Sequence, residues 1–190
     1  MSGPAADDLR ALLDKQEITE LMHLRARAAD RVDQELALAC YHDGATETHG
    51  TYEGPADQFV RRFSTRFGGG DFVRMNHHIS NLLIELDGDT AAVESYYLCE
   101  LTMKHGGAEH DVLIGGRYLD RLERRDRRWR ISHRDCIYDW SRMDPSSERY
   151  WDRQYGGDRV KLLFGVAGAD DPLYARLHAR RGLQSGGGTT

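Results

Sequence analysis

The sequence predicts an α+β fold in a single domain: three helices, then four or more antiparallel strands. Three observations carry this reading. Apolar residues recur at three- and four-residue spacing in the first third of the chain and alternate with polar residues from His77 onward. Turn signals at Asp87-Gly88-Asp89, His105-Gly106-Gly107 and Arg125-Asp126-Arg127 divide the second part at hairpin spacing. The length, 190 residues, suits one domain and allows a sizeable core without disulfides or metal.

The elements follow in order. Residues 7–28 read as a helix, with Leu9, Leu12, Leu13, Ile18, Leu21, Met22 and Leu24 at helical spacing and Asp7 or Asp8 as cap. A tight corner holds Asp30 and Asp33. Asp33 is the natural N-cap of a short helix, Asp33–Tyr41, that ends at His42-Asp43-Gly44. Ala45–Tyr52 is extended. Pro55 at a first helical position opens a third helix carrying Ala56, Phe59, Val60 and Phe63, which Gly68-Gly69-Gly70 stops. Strands are expected over His77–Leu86, Thr90–Lys104, Asp111–Arg124 and Trp129–Trp140. Gly115-Gly116 in mid-strand marks a bulge or bend. Residues 1–145 form the domain. Residues 146–190 form an extension that acts as a lid or subunit contact, with short helices near Pro145 and over Leu173–Arg181 and a frayed tail.

Composition narrows the function classes. The formal net charge is −5, which gives no general attraction to nucleic acid or to an anionic membrane. The one basic run, Arg121–Arg128, is interrupted by acids and falls on a hairpin turn. Three widely spaced cysteines without a CxxC argue against a disulfide framework or a structural zinc site. No HxH, HExxH or carboxylate triad marks a metal centre. The N-terminal residues lack the basic and apolar regions of a signal peptide, and no apolar run reaches the length of a membrane span. A cytoplasmic protein is expected.

Several motifs in this order resemble the SnoaL-like branch of the nuclear-transport-factor-2-like fold. They are the helix–corner–helix, His77-x-x-x-Asn81 leading to Asp87-Gly88-Asp89, Leu113-Ile-Gly-Gly-x-Tyr118, Glu123-Arg-Arg-Asp126 and Trp129-Arg-Ile131. Within that branch the likeness is greatest to the hexachlorocyclohexane dehydrochlorinases, and lower to the scytalone and bile-acid 7α-dehydratases. It covers about residues 12–140. The resemblance implies a cone: a strongly bent antiparallel sheet wrapped round helices, with a pocket inside. It implies a cofactor-independent lyase acting on a small hydrophobic ring-containing substrate, and a homotrimer. By position it makes Asp30 and His77 a catalytic pair and gives Arg25 and Arg134 supporting roles. The second catalytic histidine of the scytalone dehydratases falls near Leu101 and is absent here.

The residue types suit that chemistry. Neutral imidazole is a base near pH 7, and a carboxylate on its other nitrogen fixes the tautomer and stabilises the imidazolium. Arg25 and Arg134 are suited to stabilise negative charge on a leaving group or carbonyl oxygen. Loss of hydroxide needs an acid, for which recycled His77, Tyr52, Tyr97 and Tyr138 are the candidates. Tyr96, Tyr97, Leu101, Met103, Phe72 and Met75 are expected to line the pocket. Strand parity aligns His78 rather than His77 with Leu82, Ile84 and Leu86, so either histidine can face inward on the residues alone. His49, His105, His110 and His133 have no supporting pattern. Three functions stay open beside elimination: isomerisation by proton shuttling, a non-catalytic small subunit of a ring-hydroxylating dioxygenase, and a ligand-binding module.

Overall fold

The computed structural model describes residues 6–147, 149, 153, 154, 162–168 and 170–176. Helix α1 spans Ala6–Asp30, α2 Gln34–Ala39 and α3 Ala56–Gly68. The strands are β1 (Tyr41–His49), β2 (Tyr52–Pro55), β3 (Phe72–Asp87), β4 (Thr90–His105), β5 (Ala108–Arg125) and β6 (Arg128–Pro145). A last short helix, α4, covers Pro172–Arg176. The six strands form one sheet in the order β2-β1-β6-β5-β4-β3, curled around the helices as the cone-shaped α+β fold requires.

Two local expectations change. Asp33 caps α2 through its carboxylate and the Leu36 amide, but the helix stops at Ala39. Residues 41–44, read as its end, instead begin β1. That strand pairs with β6 in parallel, so the sheet is antiparallel except at this one junction. Pro55 is the N-cap of α3 and not its first turn. Strands β3 to β6 each extend beyond the expected ends, and Pro145 closes β6 instead of opening a helix.

Helix α1 buries Ile18, Leu21, Met22 and Ala28 against the sheet. Asp14, also buried, accepts the Trp129 indole N–H at 2.9 Å and an Arg124 N–H at 3.0 Å, tying α1 to the β5–β6 hairpin. Leu9, Leu12 and Leu13 lie on the turns before this tie and are exposed, so the expected apolar stripe is buried only from Asp14 onward. One apolar cluster joins α1, α2 and β1 to Leu122, Trp129 and Ile131 and fills one end of the cone. A second, with Met75, Tyr97, Cys99, Leu101 and Tyr118, lines the other end.

Two irregularities set which side chains face inward. In β3 the pairing with β4 shifts between Ser80 and Leu83, and Asn81 takes a positive φ of 47°. The bulge exchanges the faces of the strand. Met75, His77 and Ile79 face inward before it, and Leu82, Ile84 and Leu86 after it. Unbroken parity therefore mispaired His78 with the later apolar residues. His78 is exposed. In β5 the pairing with β6 shifts between Gly115 and Gly116, where a bulge was expected. A Cβ at Gly116 would overlap the Ile137 carbonyl and lie 2.7 Å from the Tyr97 hydroxyl.

The C-terminal segment docks on the corner after α1. The Gly168 amide donates to the Arg31 carbonyl at 2.6 Å, Arg31 pairs with buried Asp171 at 3.2 Å, and the Tyr174 hydroxyl donates to Asp33 at 2.8 Å. Of the helix expected over Leu173–Arg181, α4 accounts for the part up to Arg176, and residues 177–190 lie outside the described residues. Because a methyl group at position 116 must displace backbone or the Tyr97 ring, Gly116→Ala is expected to cost roughly 1–3 kcal/mol. Urea unfolding of the variant against the wild type measures this.

Candidate active site

A cavity of about 420 Å³ opens between α1, α3 and the inner face of the sheet. Its wall is mainly apolar, with Phe59, Phe63, Phe72, Met75 and Met103 among the lining residues. His77, Arg25, Arg134, Tyr52, Tyr97, Leu101 and Tyr138 all contribute to it. Tyr96, expected beside Tyr97, points away from the cavity and is exposed.

Asp30 stands behind His77. Its carboxylate accepts the His77 ring Nδ1–H at 2.7 Å and the His77 backbone amide at 3.0 Å to each oxygen. The two side chains are 12% and 11% exposed, so water competes weakly for these bonds. With Nδ1 donating to Asp30, Nε2 is the nitrogen that bears the lone pair in a neutral ring.

Arg134 is buried, with its guanidinium 4.1 Å from the centre of the Tyr118 ring. Its Nε and Nη2 donate to the two oxygens of buried Asp120 at 2.7 and 2.9 Å. Burial opposes its charge, but the Asp120 carboxylate outweighs that and holds the guanidinium protonated. Arg25 donates from Nε to the Tyr41 hydroxyl at 3.0 Å, and Tyr41 donates to Glu47 at 2.6 Å. Glu47 also accepts the His49 Nδ1–H at 2.9 Å. Burial works against the Glu47 carboxylate. The His49 hydrogen bond and the charges of Arg25 and Arg134 outweigh it and hold the group below its ordinary value.

His49 lines the same cavity, stacked on Phe59 with ring centres 4.5 Å apart. Burial disfavours its charged form, but hydrogen bonds with Cys136 and Glu47 prevail and raise its pKa to about 9. Burial pushes the phenols of Tyr97 and Tyr138 above their ordinary range and the Cys99 thiol up to about 12. Tyr52 commits its hydroxyl to the Pro55 carbonyl at 2.7 Å.

The sequence reading passed over Glu47, His49 and Asp120. One signal was available for the first two: in Thr46-Glu47-Thr48-His49, positions two apart share a strand face, which pairs an acid with a histidine. Asp120 stands among alternating charges that otherwise mark an exposed strand; its place opposite Arg134 across the β5–β6 hairpin was the signal available. Among the described residues no group of three or more His, Cys, Asp or Glu side chains is placed to hold a metal ion, and no helix is long and apolar enough to cross a membrane.

Removing one member of a buried ion pair strands the other charge. Asp120→Ala is expected to destabilise the fold by about 3–5 kcal/mol, which a shift in the chemical-denaturation midpoint checks.

The SnoaL-like domain model matches residues 10–135. Solved structures of low identity share the fold. The hexachlorocyclohexane dehydrochlorinase LinA-type3 from Novosphingobium barchaimii LL02 is 19% identical, with 75% of this chain and 96% of that one covered and a TM-score of 0.64. A protein of Novosphingobium aromaticivorans assigned as a scytalone dehydratase is 18% identical, covering 73% and 91% at a TM-score of 0.61. Another from the same organism, assigned as the β subunit of an aromatic-ring-hydroxylating dioxygenase, is 17% identical, covering 68% and 92% at 0.56. No curated protein matches the chain at a significant level. A curled six-stranded sheet around α1, a cavity within it, and a family model that spans most of the chain lead to one conclusion: the protein belongs to the SnoaL-like domain family.

Proposed function

We propose that this protein is a cofactor-independent lyase that eliminates a leaving group from a small hydrophobic ring-containing substrate. His77 is the base and Asp30 its partner. The observation that carries the reading is the 2.7 Å hydrogen bond between Asp30 and His77 Nδ1 beside an apolar cavity. Nε2 of neutral His77 removes a proton from a substrate carbon. The Asp30 carboxylate holds the tautomer and stabilises the imidazolium that results. Arg25 and Arg134 lie in the same wall and offset negative charge that builds on a carbonyl oxygen or departing group. Tyr97, Leu101, Tyr52 and Tyr138 bound the space that a ring fills. The fold shared with a dehydrochlorinase and with a protein assigned as a scytalone dehydratase is consistent with this chemistry.

A second reading is a non-catalytic subunit, which the similarity to a dioxygenase β subunit favours. The two readings differ in what His77 is for. On the lyase reading, His77→Gln and Asp30→Asn each lower kcat by about 10²–10⁴-fold while circular dichroism shows the fold retained, the thermal midpoint falling with the hydrogen bonds that are weakened. Full turnover in both variants would exclude His77 as base. Release of the chain from a co-purifying iron–sulfur subunit would favour the second reading.

The assembly we propose is a homotrimer. Leu83, Tyr96, Leu119 and Trp140 are exposed on the successive strands β3, β4, β5 and β6, an apolar face for neighbouring copies to cover. Sedimentation equilibrium is expected to give three times the monomer mass, and Leu119→Glu to shift it toward monomer.

A further inference from the structure

The cavity holds a second histidine–carboxylate pair that the elimination step above does not use. We propose that His49 is a catalytic acid facing the His77 base, and that the leaving group of this site is therefore an oxygen, a ring hydroxyl that departs as water. This rests on the elimination reading and names its substrate class.

Placement comes first. His49 ends β1 and His77 lies on β3, and the sheet runs β2-β1-β6-β5-β4-β3. The two strands are four steps apart in a sheet that curls, so they bring their histidines to one cavity from different walls. Each histidine gives Nδ1 to a carboxylate that stands behind it, Asp30 for His77 and Glu47 for His49. The environments differ. Glu47 is fully enclosed and is anchored in turn by Tyr41 and Arg25, so its charge has no partner in water. An enclosed carboxylate with one imidazole against it favours a proton on that imidazole.

The groups facing His49 bear this out element by element. Glu47 comes from β1, and Cys136 and Tyr138 from β6, with Tyr138 edge-on at 6.0 Å between ring centres. α3 supplies Phe59, whose stacked ring tolerates a cation, and β2 supplies Tyr52 behind it. The cations Arg25 on α1 and Arg134 on β6 line the cavity; Arg134 is paired with Asp120, and Arg25 reaches Glu47, the carboxylate that His49 also contacts, through Tyr41. The hydrogen bonds with Cys136 and with Glu47 together favour a proton on His49, in keeping with a pKa raised to about 9.

The other acids are poorer. Tyr97 and Tyr138 hold their protons more tightly than free phenols, Tyr52 does not share the cationic environment of His49, guanidinium does not release a proton in this range, and a recycled His77 imidazolium exists only after the carbon proton has moved. Chloride and carboxylate depart without a proton. Hydroxide does not, and a standing imidazolium is the group that such a departure requires. The step balances. His77 Nε2 takes the proton from carbon, the electron pair becomes the new C=C bond, and the C–O bond breaks. The His49 proton joins the departing oxygen as water. Solvent then removes the proton from His77 and restores one to His49, so the net change is loss of water.

A matched pair of ketones tests this: 3-hydroxycyclohexanone and 3-chlorocyclohexanone, both followed as cyclohexenone absorbance above the uncatalysed rate. His49→Gln is expected to lower kcat/KM for the hydroxy ketone at least 100-fold and for the chloro ketone less than 3-fold. His77→Gln is expected to lower both. The hydroxy reaction alone is expected to fall as pH rises through about 9, because the acid loses its proton there. Equal effects of His49→Gln on the two ketones overturn the inference and leave the His77 base intact. Unchanged rates in His77→Gln remove the base reading instead. Conversion of neither ketone by the wild type overturns both. ¹⁵N imidazole shifts give a readout without turnover: a neutral His49 ring at pH 7.5 overturns the inference alone.

Discussion

The arrangement depends on one carboxylate. Asp30 is the last residue of α1, and it receives both the ring and the backbone amide of His77 from the edge strand β3. Hydrogen bonds to a charged acceptor contribute about 1.5–3 kcal/mol each when water is kept out. These bonds hold the end of the longest helix against the strand farthest along the sheet from β1 and β2, and so shape the cavity between them. The amide bonds persist whatever the protonation of the ring. The carboxylate therefore stays in place independently of the ring.

The cavity combines an apolar lining with buried charge, and the second is tolerable only because each charge is answered. Arg134 meets Asp120 through two parallel bonds, and Arg25 reaches Glu47 through Tyr41. An unpaired guanidinium at these depths would cost several kcal/mol. Paired from the rear, the two arginines stand in the wall with their charge retained and their positions set. Tyr118 beneath Arg134 and Tyr97 stacked on Tyr118 at 4.6 Å continue that support into the apolar cluster. Polar groups thus sit on a framework of aromatic rings, which limits the freedom of the guanidinium groups without adding further charge.

The family and the chemistry are separable. The curled sheet belongs to a fold whose known structures include a dehydrochlorinase and an assigned dioxygenase subunit, at identities that carry the architecture alone. In this chain two bulges set which side chains face the cavity. The bulge at Asn81 selects His77 over His78, and the pair Gly115-Gly116 lets Trp140 and Tyr97 approach the β5 backbone.

The sequence by itself determined the class and most of the elements. Helical spacing from Ile18 to Ala28, the Asp33 cap and three hairpin turns are local properties, legible because each depends on neighbours within a few residues. The motifs around His77, Gly115-Gly116 and Arg134 were enough to suggest the SnoaL-like family, which the match over residues 10–135 shows. Tertiary structure decided the rest. The parallel junction of β1 with β6 joins residues some ninety positions apart, which no periodicity announces. The inward turn of His77 follows from a one-residue bulge that parity arguments pass over. Asp30 and His77 are 47 positions apart and come from a helix end and a far edge strand. Local pattern reports which face a residue favours, whereas the meeting of a carboxylate with its partner depends on how far a whole sheet curls.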